Sequence, residues 1–322
     1  MTFGTSRKRK MSISNTFFCL LTLFLLALFL KNPHVASDAV IEALKKCGHL
    51  LIPSLFPLMV ASEIAVESGS VEYFTRPLSG VVAKILGIKK DSTAPLFLGL
   101  IGGYTTSVGG ALSLYKSGKI DKTDCERIIA LSSLPSLSFL TGFVGHGVLG
   151  SVADGWILWA IAVTSALIVG FLTRKSVPKL TSVEFLRTEN TNRPPISKII
   201  VGAISHSAHT MLLICSCVIF FYALIAALRF PLDAVGIPES AQGIVLGSLE
   251  ITNGVLECVG IPSRSLRAAA CGAIVGWSGF SVHFQIISLC DGLGLSFKRY
   301  FILKAMQGVL CFLLVWAVFS LI

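Results

Sequence analysis

The sequence predicts an all-α polytopic membrane protein, and three observations support that fold class. The chain of 322 residues is 53% hydrophobic and only 14% charged, whereas a soluble globular domain carries roughly 25% charged residues. Its mean hydropathy is +0.79, and its apolar runs recur at lengths near the ~20 residues that a helix needs to cross a bilayer. The period-2 alternation of a transmembrane β-barrel is absent.

The charge pattern and the motif search narrow the class of function. The net charge of +10 comes from short basic clusters between apolar runs, which is typical of cytoplasmic loops and not of a nucleic-acid-binding face. We therefore expect the lipid bilayer as a partner and no nucleic acid. Walker A, G-x-S-x-G and HExxH motifs are missing, so neither an enzyme nor a cofactor is predicted. The nine cysteines show no metal-binding spacing, and we expect buried thiols and no metal site.

Residues 1–40 are predicted to form a basic cytoplasmic tail and a first membrane helix. The basic run Arg7-Lys-Arg-Lys10 precedes an apolar run from Thr16 to Leu30. This run is either a retained helix or a signal peptide with a cleavage site near Val35-Ala-Ser37. We prefer the retained helix, because the rest of the chain is also membrane-like. A further span is expected from His49 to Val66, followed by an interfacial stretch.

The apolar stretch Pro95–Leu114 leaves two alternatives, a plain span or a re-entrant pair of half-helices. A plain span places the basic stretches 116–127 and 174–198 outside the cell. The re-entrant alternative keeps both in the cytoplasm together with 76–90. The positive-inside rule favours the re-entrant alternative.

The remaining segments follow in chain order. In the first half they are an amphipathic helix over Leu78–Leu86, a span from Ile128 to Gly150 interrupted by Pro135, a short hairpin at Asp154 and a span from Trp156 to Thr173. A cytoplasmic linker over 174–198 follows. The second half has an amphipathic stretch Lys198–Ala208 leading into a span from His209 to Leu228, an apolar segment from Gly243 to Ile261, an interrupted segment from Leu266 to Leu289, and a final span from Tyr300 to Ile322. The total is roughly seven to nine membrane segments.

The chain divides into two halves with a similar order of segments. We expect a first repeat over 41–173, the linker 174–198 and a second repeat over 199–322. Each half has a span, a loop, a glycine-broken segment, a short polar turn and a closing helix. One half begins outside and the other inside, so the repeats are predicted to be inverted.

Two matched glycine-rich stretches mark the predicted binding site. They run from Leu100 to Gly110 and from Ala273 to Gln285, and they align Gly102 with Gly276. Hydrocarbon tolerates irregular, polar backbone only where it is buried in protein or lines a wet cavity. Paired interruptions in the two halves of a chain therefore indicate a transporter's substrate site.

The candidate substrate-binding residues lie in these two stretches and in the run that begins at Glu250. An ionisable group such as Glu250 inside an apolar segment usually faces a cavity or a partner, and when buried it is a candidate to carry a coupling proton or to meet a cation. Hydroxyls beside half-helix N-termini suit an anion. His283 and Gln285 can face one ligand only if their backbone is unwound. Helix capping or helix packing is the alternative for each residue. The full set is Gly102, Gly103, Tyr104, Thr105, Thr106, Ser107, Glu250, Thr252, Asn253, Gly276, Ser278, Ser281, His283 and Gln285.

Four segments resemble the YlbJ/SpoVV family of sporulation integral membrane proteins, which are built from two nucleoside-recognition ("Gate") domains. The segments are Leu98–Tyr104, Leu114–Ile120, Leu249–Gly254 and Gly279–Gln285. The resemblance covers roughly residues 40–322. It implies a role in spore formation and movement of dipicolinic acid, a small aromatic dicarboxylate, across the outer forespore membrane. The Gate domain is similar to parts of concentrative nucleoside transporters.

The chain departs from the family pattern at two positions. Thr105 stands where the pattern has a proline, and Gly109 stands where it has a lysine, so a cationic anchor for a carboxylate is missing there. Three functions remain open: a transporter of a small anionic heteroaromatic metabolite such as dipicolinate, a nucleoside-type carrier, and a non-transporting scaffold for spore-envelope assembly. A scaffold needs close helix packing, but it does not need Glu250, Asn253, His283 or Gln285.

Overall fold

A computed structural model describes residues 13–68, 70–174, 195–236 and 247–322. Within those ranges every regular element is a helix, which confirms the all-α fold class. The predicted N-terminal tail, most of the predicted linker 174–198 and the start of the predicted segment Gly243–Ile261 lie outside the described residues.

The described helices are named here in chain order. The α-helices are α1 (Ile13–Lys31), α2 (Pro33–Lys46), α3 (Ile52–Glu67), α4 (Ser70–Leu86), α5 (Ala94–Gly102), α6 (Tyr104–Lys116), α7 (Lys122–Ser132), α8 (Val152–Leu172), α9 (Ile196–Ala234), α10 (Ile251–Glu257), α11 (Arg264–Trp277), α12 (Gly279–Leu289) and α13 (Phe297–Phe319). Cys47–Leu51 and Phe139–Leu149 are π-helical, and Lys90–Thr93 and Cys258–Gly260 are 3₁₀ turns.

Five helical stretches in the described part of the chain are long and apolar enough to cross a membrane. They are Pro33–Ala65, Val152–Leu172, Ile196–Arg229, Arg264–Leu289 and Phe297–Phe319, and Cys19–Lys31 and Phe139–Leu149 are shorter apolar helices. These stretches support the predicted multi-pass membrane protein. The span that was expected to start at His49 starts at Pro33 instead, because proline is tolerated in the first turn of a helix and α2 runs through the π-helical turn into α3.

Helix α9 differs from its predicted division into an amphipathic stretch and a separate span. It is one helix of 39 residues, which corresponds to about 58 Å at 1.5 Å per residue. Since the hydrocarbon core of a bilayer is about 30 Å thick, α9 extends well beyond it. The long helix carries contacts with α1, α2 and α3 along its length, including an edge-on ring contact between Phe29 and Phe220.

Helices α5 and α6 form an antiparallel hairpin, as the re-entrant alternative requires. Gly103, with φ of +84°, is the single residue between them. Gly99 lies opposite Ser107, and Gly110 lies opposite Pro95, so the start of one helix faces the end of the other. A Cβ atom on Gly99 would lie 2.8 Å from that of Ser107, which shows how closely the two helices approach.

The second matched motif breaks its helix without folding it back. Ser278 and Gly279 both have positive φ, of 78° and 76°, yet α11 and α12 continue as one apolar stretch of 26 residues. Gly118 and Gly292, which the two motifs align, both follow the motif helices with positive φ. The order of elements is therefore similar in the two halves but their shapes differ, and the inverted repeat stays a prediction.

Small residues allow the central helices to approach one another closely. A Cβ atom on Gly276 of α11 would lie 2.8 Å from the carbonyl oxygen of Gln307 on α13. A Cβ on Gly145 of the π-helical segment would lie 2.7 Å from the Cα of Gly155 on α8. Such glycines are typical of helix packing inside membranes, where lipid supplies no hydrophobic drive for association.

Two opposite ends of the bundle are marked by polar contacts. At one end the Ser296 N–H donates to Glu126 Oε1 at 2.5 Å, and Arg299 Nη2 donates to the Thr173 carbonyl at 3.3 Å. At the other end Arg264 Nη2 lies 2.9 Å from Asp154 Oδ1. Arg127, which the sequence placed in a basic loop, is 2% exposed and donates to a backbone carbonyl of α8.

Candidate functional site

A cavity lies where the two glycine-rich motifs meet. Together with the open space at its mouth, it comprises about 710 Å³ that no atom occupies. Its walls come from α3, from the breaks at Gly103 and Ser278, from α9, from the start of α10 and from the segment between α7 and the second π-helix. The lining residues are Leu55, Met59, Gly102, Gly103, Tyr104, Thr105, Pro135, Ser136, Phe139, Thr210, Ile214, Cys217, Glu250, Ile251, Thr252, Ser278, Ser281, Val282 and Gln285.

A pair of hydrogen bonds at Gln285 joins three helices across this cavity. The Tyr104 hydroxyl, at the start of α6, donates to Gln285 Oε1 on α12. The Gln285 side-chain amide donates to Cys217 Sγ on α9 at 3.1 Å. Both Tyr104 and Gln285 remain half-buried and line the cavity. The first and second motifs are therefore in direct side-chain contact, although they lie 181 positions apart in the chain.

Glu250 both caps a short helix and lines the cavity. It is the N-cap residue of α10, and its Oε2 accepts the Asn253 N–H at 2.7 Å. The Glu250 carboxylate thereby places a negative charge at the helix N-terminus, where the helix dipole favours one. The side chain is 2% exposed, and none of the ion pairs among the described residues involves it. Its carboxylate is thus a buried acid at the wall of the cavity without a cationic partner among those residues.

The break between α11 and α12 brings Ser278 and Ser281 to the cavity wall. Ser278 adopts the left-handed region, and Gly279 packs so closely that a Cβ on it would lie 2.9 Å from the Ile251 nitrogen. Ser281 is 2% exposed, and its hydroxyl has no hydrogen-bond partner among the described residues. Since buried hydroxyls are normally satisfied, this one is available to a ligand.

The first N–H groups of α12 are not available to an anion. The Phe280 N–H donates to the Ser248 carbonyl at 3.0 Å, and the Ser281 N–H donates to the Leu249 carbonyl at 2.9 Å. The N-terminus of α6 also lies at the cavity, where Tyr104 and Thr105 are among the lining residues.

Five predicted site residues lie outside the cavity lining, and they are Thr106, Ser107, Asn253, Gly276 and His283. Thr106 bonds back to the Gly102 carbonyl at 3.4 Å, and Ser107 donates to Ser132 on α7. Gly276 serves the close approach of α11 to α13, as described above. Asn253 is 3% exposed, and its side-chain amide has no partner among the described residues. Thr106, Ser107 and Gly276 therefore make contacts within or between helices, and ligand contact by any of the five residues stays a prediction.

His283 lies outside the cavity lining because of the direction in which it points from α12. Its Nδ1 lies 2.7 Å from the Tyr300 hydroxyl, and rings of Trp277 and Phe301 pack around it. Because α12 is regular from Gly279 onward, residues two positions apart point in different directions. His283 therefore faces the protein interior while Gln285 faces the cavity. Tyr300, the hydrogen-bond partner of His283, is itself 1% exposed.

Sequence reasoning missed three contributors to this region. The chain is unwound at 133–136, and Pro135 and Ser136 line the cavity. The interruption at Pro135 was the available signal for this unwound segment, but by itself it predicts only a break in a span. Thr210 and Cys217 join from α9, with no pattern to single them out. Lys304 on α13 is fully buried, and a lysine near the end of a span normally extends to the membrane surface.

Comparisons with known proteins identify one related sequence and no known structure. The chain is 23% identical over 320 residues to the "Sporulation integral membrane protein YlbJ" of Bacillus subtilis (strain 168), and the match covers 89% of this chain and 78% of that protein. No protein-family model matches the chain. No solved structure matches it either.

Proposed function

We propose, since the chain belongs to the YlbJ family of integral membrane proteins, that it acts in sporulation as a transporter or facilitator of a small anionic heteroaromatic metabolite. The specific substrate in this proposal is dipicolinic acid, which the protein moves across the outer forespore membrane. The observation that carries the proposal is the cavity at which both broken motifs meet, bridged by Tyr104 and Gln285.

The lining of the cavity suits a flat ring with polar edges. Apolar side chains such as Met59, Phe139 and Ile214 offer surface for the ring. The Ser281 hydroxyl is an unpaired donor for a carboxylate oxygen. The Tyr104 hydroxyl, which donates to Gln285 in this structure, can donate to an incoming carboxylate instead, because a hydrogen bond to an ionised acceptor is the stronger of the two.

The two helix breaks act as hinges for alternating access. Movement at Gly103 or at the Ser278–Gly279 break changes which end of the cavity is open, and it leaves the rest of the bundle intact. The Tyr104–Gln285 hydrogen bond then acts as a link between the two motifs that a ligand replaces. Transport in this scheme requires no chemical step.

A proton or another cation is the coupling partner in this proposal. An anion that enters the cavity meets the buried carboxylate of Glu250, and two negative charges in a poorly solvated space repel strongly. Binding is therefore more favourable when Glu250 takes up a proton or when a cation enters with the anion. Oligomeric state plays no part in the scheme.

The scaffold alternative has specific support in the packing contacts of the motifs. Ser107, Gly276 and His283 all serve helix packing, as a scaffold requires. A nucleoside-type carrier uses the same cavity with a neutral ligand. Both transport functions use Gln285, because it takes part in the inter-motif link. A scaffold does not need Gln285 to pack the helices.

The test is uptake of labelled dipicolinate and of uridine by liposomes that contain the purified protein. We expect wild type to take up dipicolinate, and Gln285→Leu to lose ~10-fold or more of that uptake, since Tyr104 and a buried ligand each lose a polar partner. Phe284→Leu, at the neighbouring and 59% exposed position, is the matched control and should transport normally. Uptake of uridine alone would support the nucleoside carrier. Uptake of neither compound by wild type would contradict both transport proposals.

A further inference from the structure

Lys304 is a buried cation in a helix that crosses the membrane. It lies in α13, within the candidate span Phe297–Phe319, and its side chain is 0% exposed. Its ammonium donates to the Ser133 carbonyl and to Gln307 Oε1, both at 2.9 Å. None of the ion pairs among the described residues includes it. A charge held at such a place is costly, and it usually marks a functional path or site.

The ammonium of Lys304 stands directly behind the wall of the cavity. The Ser133 carbonyl that it binds also accepts a hydrogen bond from the Ser278 hydroxyl at 3.5 Å, and Ser278 is a lining residue. Ser133 belongs to the unwound segment 133–136, whose Pro135 and Ser136 line the cavity as well. The Ser133 carbonyl and the Ser278 side chain therefore lie between the positive charge and the space that a ligand would occupy.

The charge of the cavity lining indicates what the Lys304 cation could do. The described lining contains one carboxylate, that of Glu250, and no lysine, arginine or histidine. A cavity with that lining alone repels anions. A buried ammonium is poorly screened by solvent, so its field reaches the cavity and offsets the negative charge.

We infer that Lys304 is the specificity-determining residue that makes the cavity select anions, and that it acts electrostatically from behind the wall. This inference rests on the proposed function, because it names the feature of that site that sets the charge of its ligand. The two hydrogen bonds of Lys304 hold its ammonium in place without neutralising it, since both acceptors are uncharged oxygens.

The test separates charge from structural support with three ligands of similar shape. They are pyridine-2,6-dicarboxylate, pyridine-2-carboxylate and pyridine-2,6-dicarboxamide, which carry two, one and no negative charges. Binding of each to the detergent-solubilised full-length protein is measured for wild type, Lys304→Gln, Lys304→Met and Lys304→Arg. Lys304→Gln keeps a hydrogen-bond donor but removes the charge. Lys298→Met, which removes a charge from an exposed position of the same helix, is the control.

We expect Lys304→Gln and Lys304→Met to lose roughly tenfold in affinity for each negative charge on the ligand, and to bind the dicarboxamide as wild type does. Lys304→Arg should retain the preference for the dianion, and Lys298→Met should match wild type. Equal losses for all three ligands, or no loss for any, would overturn the inference.

If the Lys304→Gln and Lys304→Met proteins fail to accumulate, the affinities of the wild-type protein for the three ligands still test the inference. Its affinity must rise from the dicarboxamide to the dicarboxylate, and an equal or reversed order would also overturn the inference. Failure of the proposed function is a separate outcome, in which wild type binds none of the three ligands.

Discussion

At the scale of single residues, Glu250 has two roles that depend on different properties of its side chain. An oxygen atom at this position accepts the Asn253 N–H and so caps α10. The titratable proton is what a coupling role would use. Glutamine keeps an oxygen acceptor in nearly the same place but cannot ionise. A substitution that separates these properties therefore tests the coupling hypothesis without removing the cap.

We predict that Glu250→Gln transports dipicolinate with a rate that no longer depends on a pH gradient across the liposome membrane. Wild type should be stimulated by an acidic exterior, because Glu250 then binds its proton together with the anion. Uptake with and without the gradient is the measurement. Glu257→Gln, which changes a 40% exposed acid paired with Arg229, should behave as wild type does. Identical gradient dependence in wild type and Glu250→Gln would rule out Glu250 as the proton carrier.

At the scale of elements, the α5–α6 hairpin depends on how closely its two arms and α7 approach. A Cβ on Gly99 would lie 2.5 Å from the Ser132 carbonyl oxygen and 2.8 Å from the Ser107 Cβ. Both contacts are shorter than real side chains allow, and one is with backbone, which cannot move aside easily. Gly109, on the other arm of the hairpin, has open space around it. The hairpin thus contains one glycine that packing requires and one that it does not.

We predict that Gly99→Ala is destabilising and Gly109→Ala is not. Forcing a methyl group into the Gly99 site should cost about 1–3 kcal/mol of stability. Alanine in place of Gly109, inside a helix, should be neutral or stabilise by up to ~1 kcal/mol. The temperature at which the detergent-solubilised protein loses its monodisperse peak in size-exclusion chromatography measures both. Equal temperatures for the two variants would contradict the close approach of α5, α6 and α7 at Gly99.

At the scale of the whole molecule, the bundle has two chemically different ends. The start of α7, the turn after α12 and the end of α8 gather at one end, together with the basic stretch 116–127. The contact between Arg264 and Asp154 marks the other end. The hairpin returns the chain to the end from which it entered, so the end of α6 and the end of α8 lie on the same side of the bundle. The positive-inside rule then predicts which side of the membrane this end faces.

We predict that the basic end is cytoplasmic. A cysteine introduced at Lys116, which is exposed at the end of α6, should react with a membrane-impermeant maleimide only after cells are permeabilised. A cysteine introduced at Ala153, exposed at the start of α8, should react in intact cells. Unsubstituted protein measures the background from its own thiols. The reverse pattern, or reaction of both positions from the same side, would contradict this topology.

The sequence by itself determined the class of the protein and the location of its main breaks. Hydropathy is a sum over neighbouring residues, so a membrane protein can be recognised without knowing any contact. The breaks at Gly103 and at Ser278–Gly279 fall inside the two glycine-rich motifs, because a positive φ is a local requirement that glycine meets at little cost. Glu250 could be singled out for the same reason, since an acid in an apolar segment is unusual wherever it lies.

Only the tertiary structure decided which polar side chains share the cavity. Successive residues of a helix rotate by about 100°, so the motif alone does not show whether Gln285 or His283 faces the first half of the chain. The packing of α12 against α13 places His283 beside Tyr300 and leaves Gln285 to bond with Tyr104. Lys304 depended on packing in the same way. Near the end of an isolated span it would extend to water, but the unwound carbonyl of Ser133, 171 positions away in the chain, holds it inside. Contacts between residues so distant in sequence are set by how the helices pack, and no local pattern contains them.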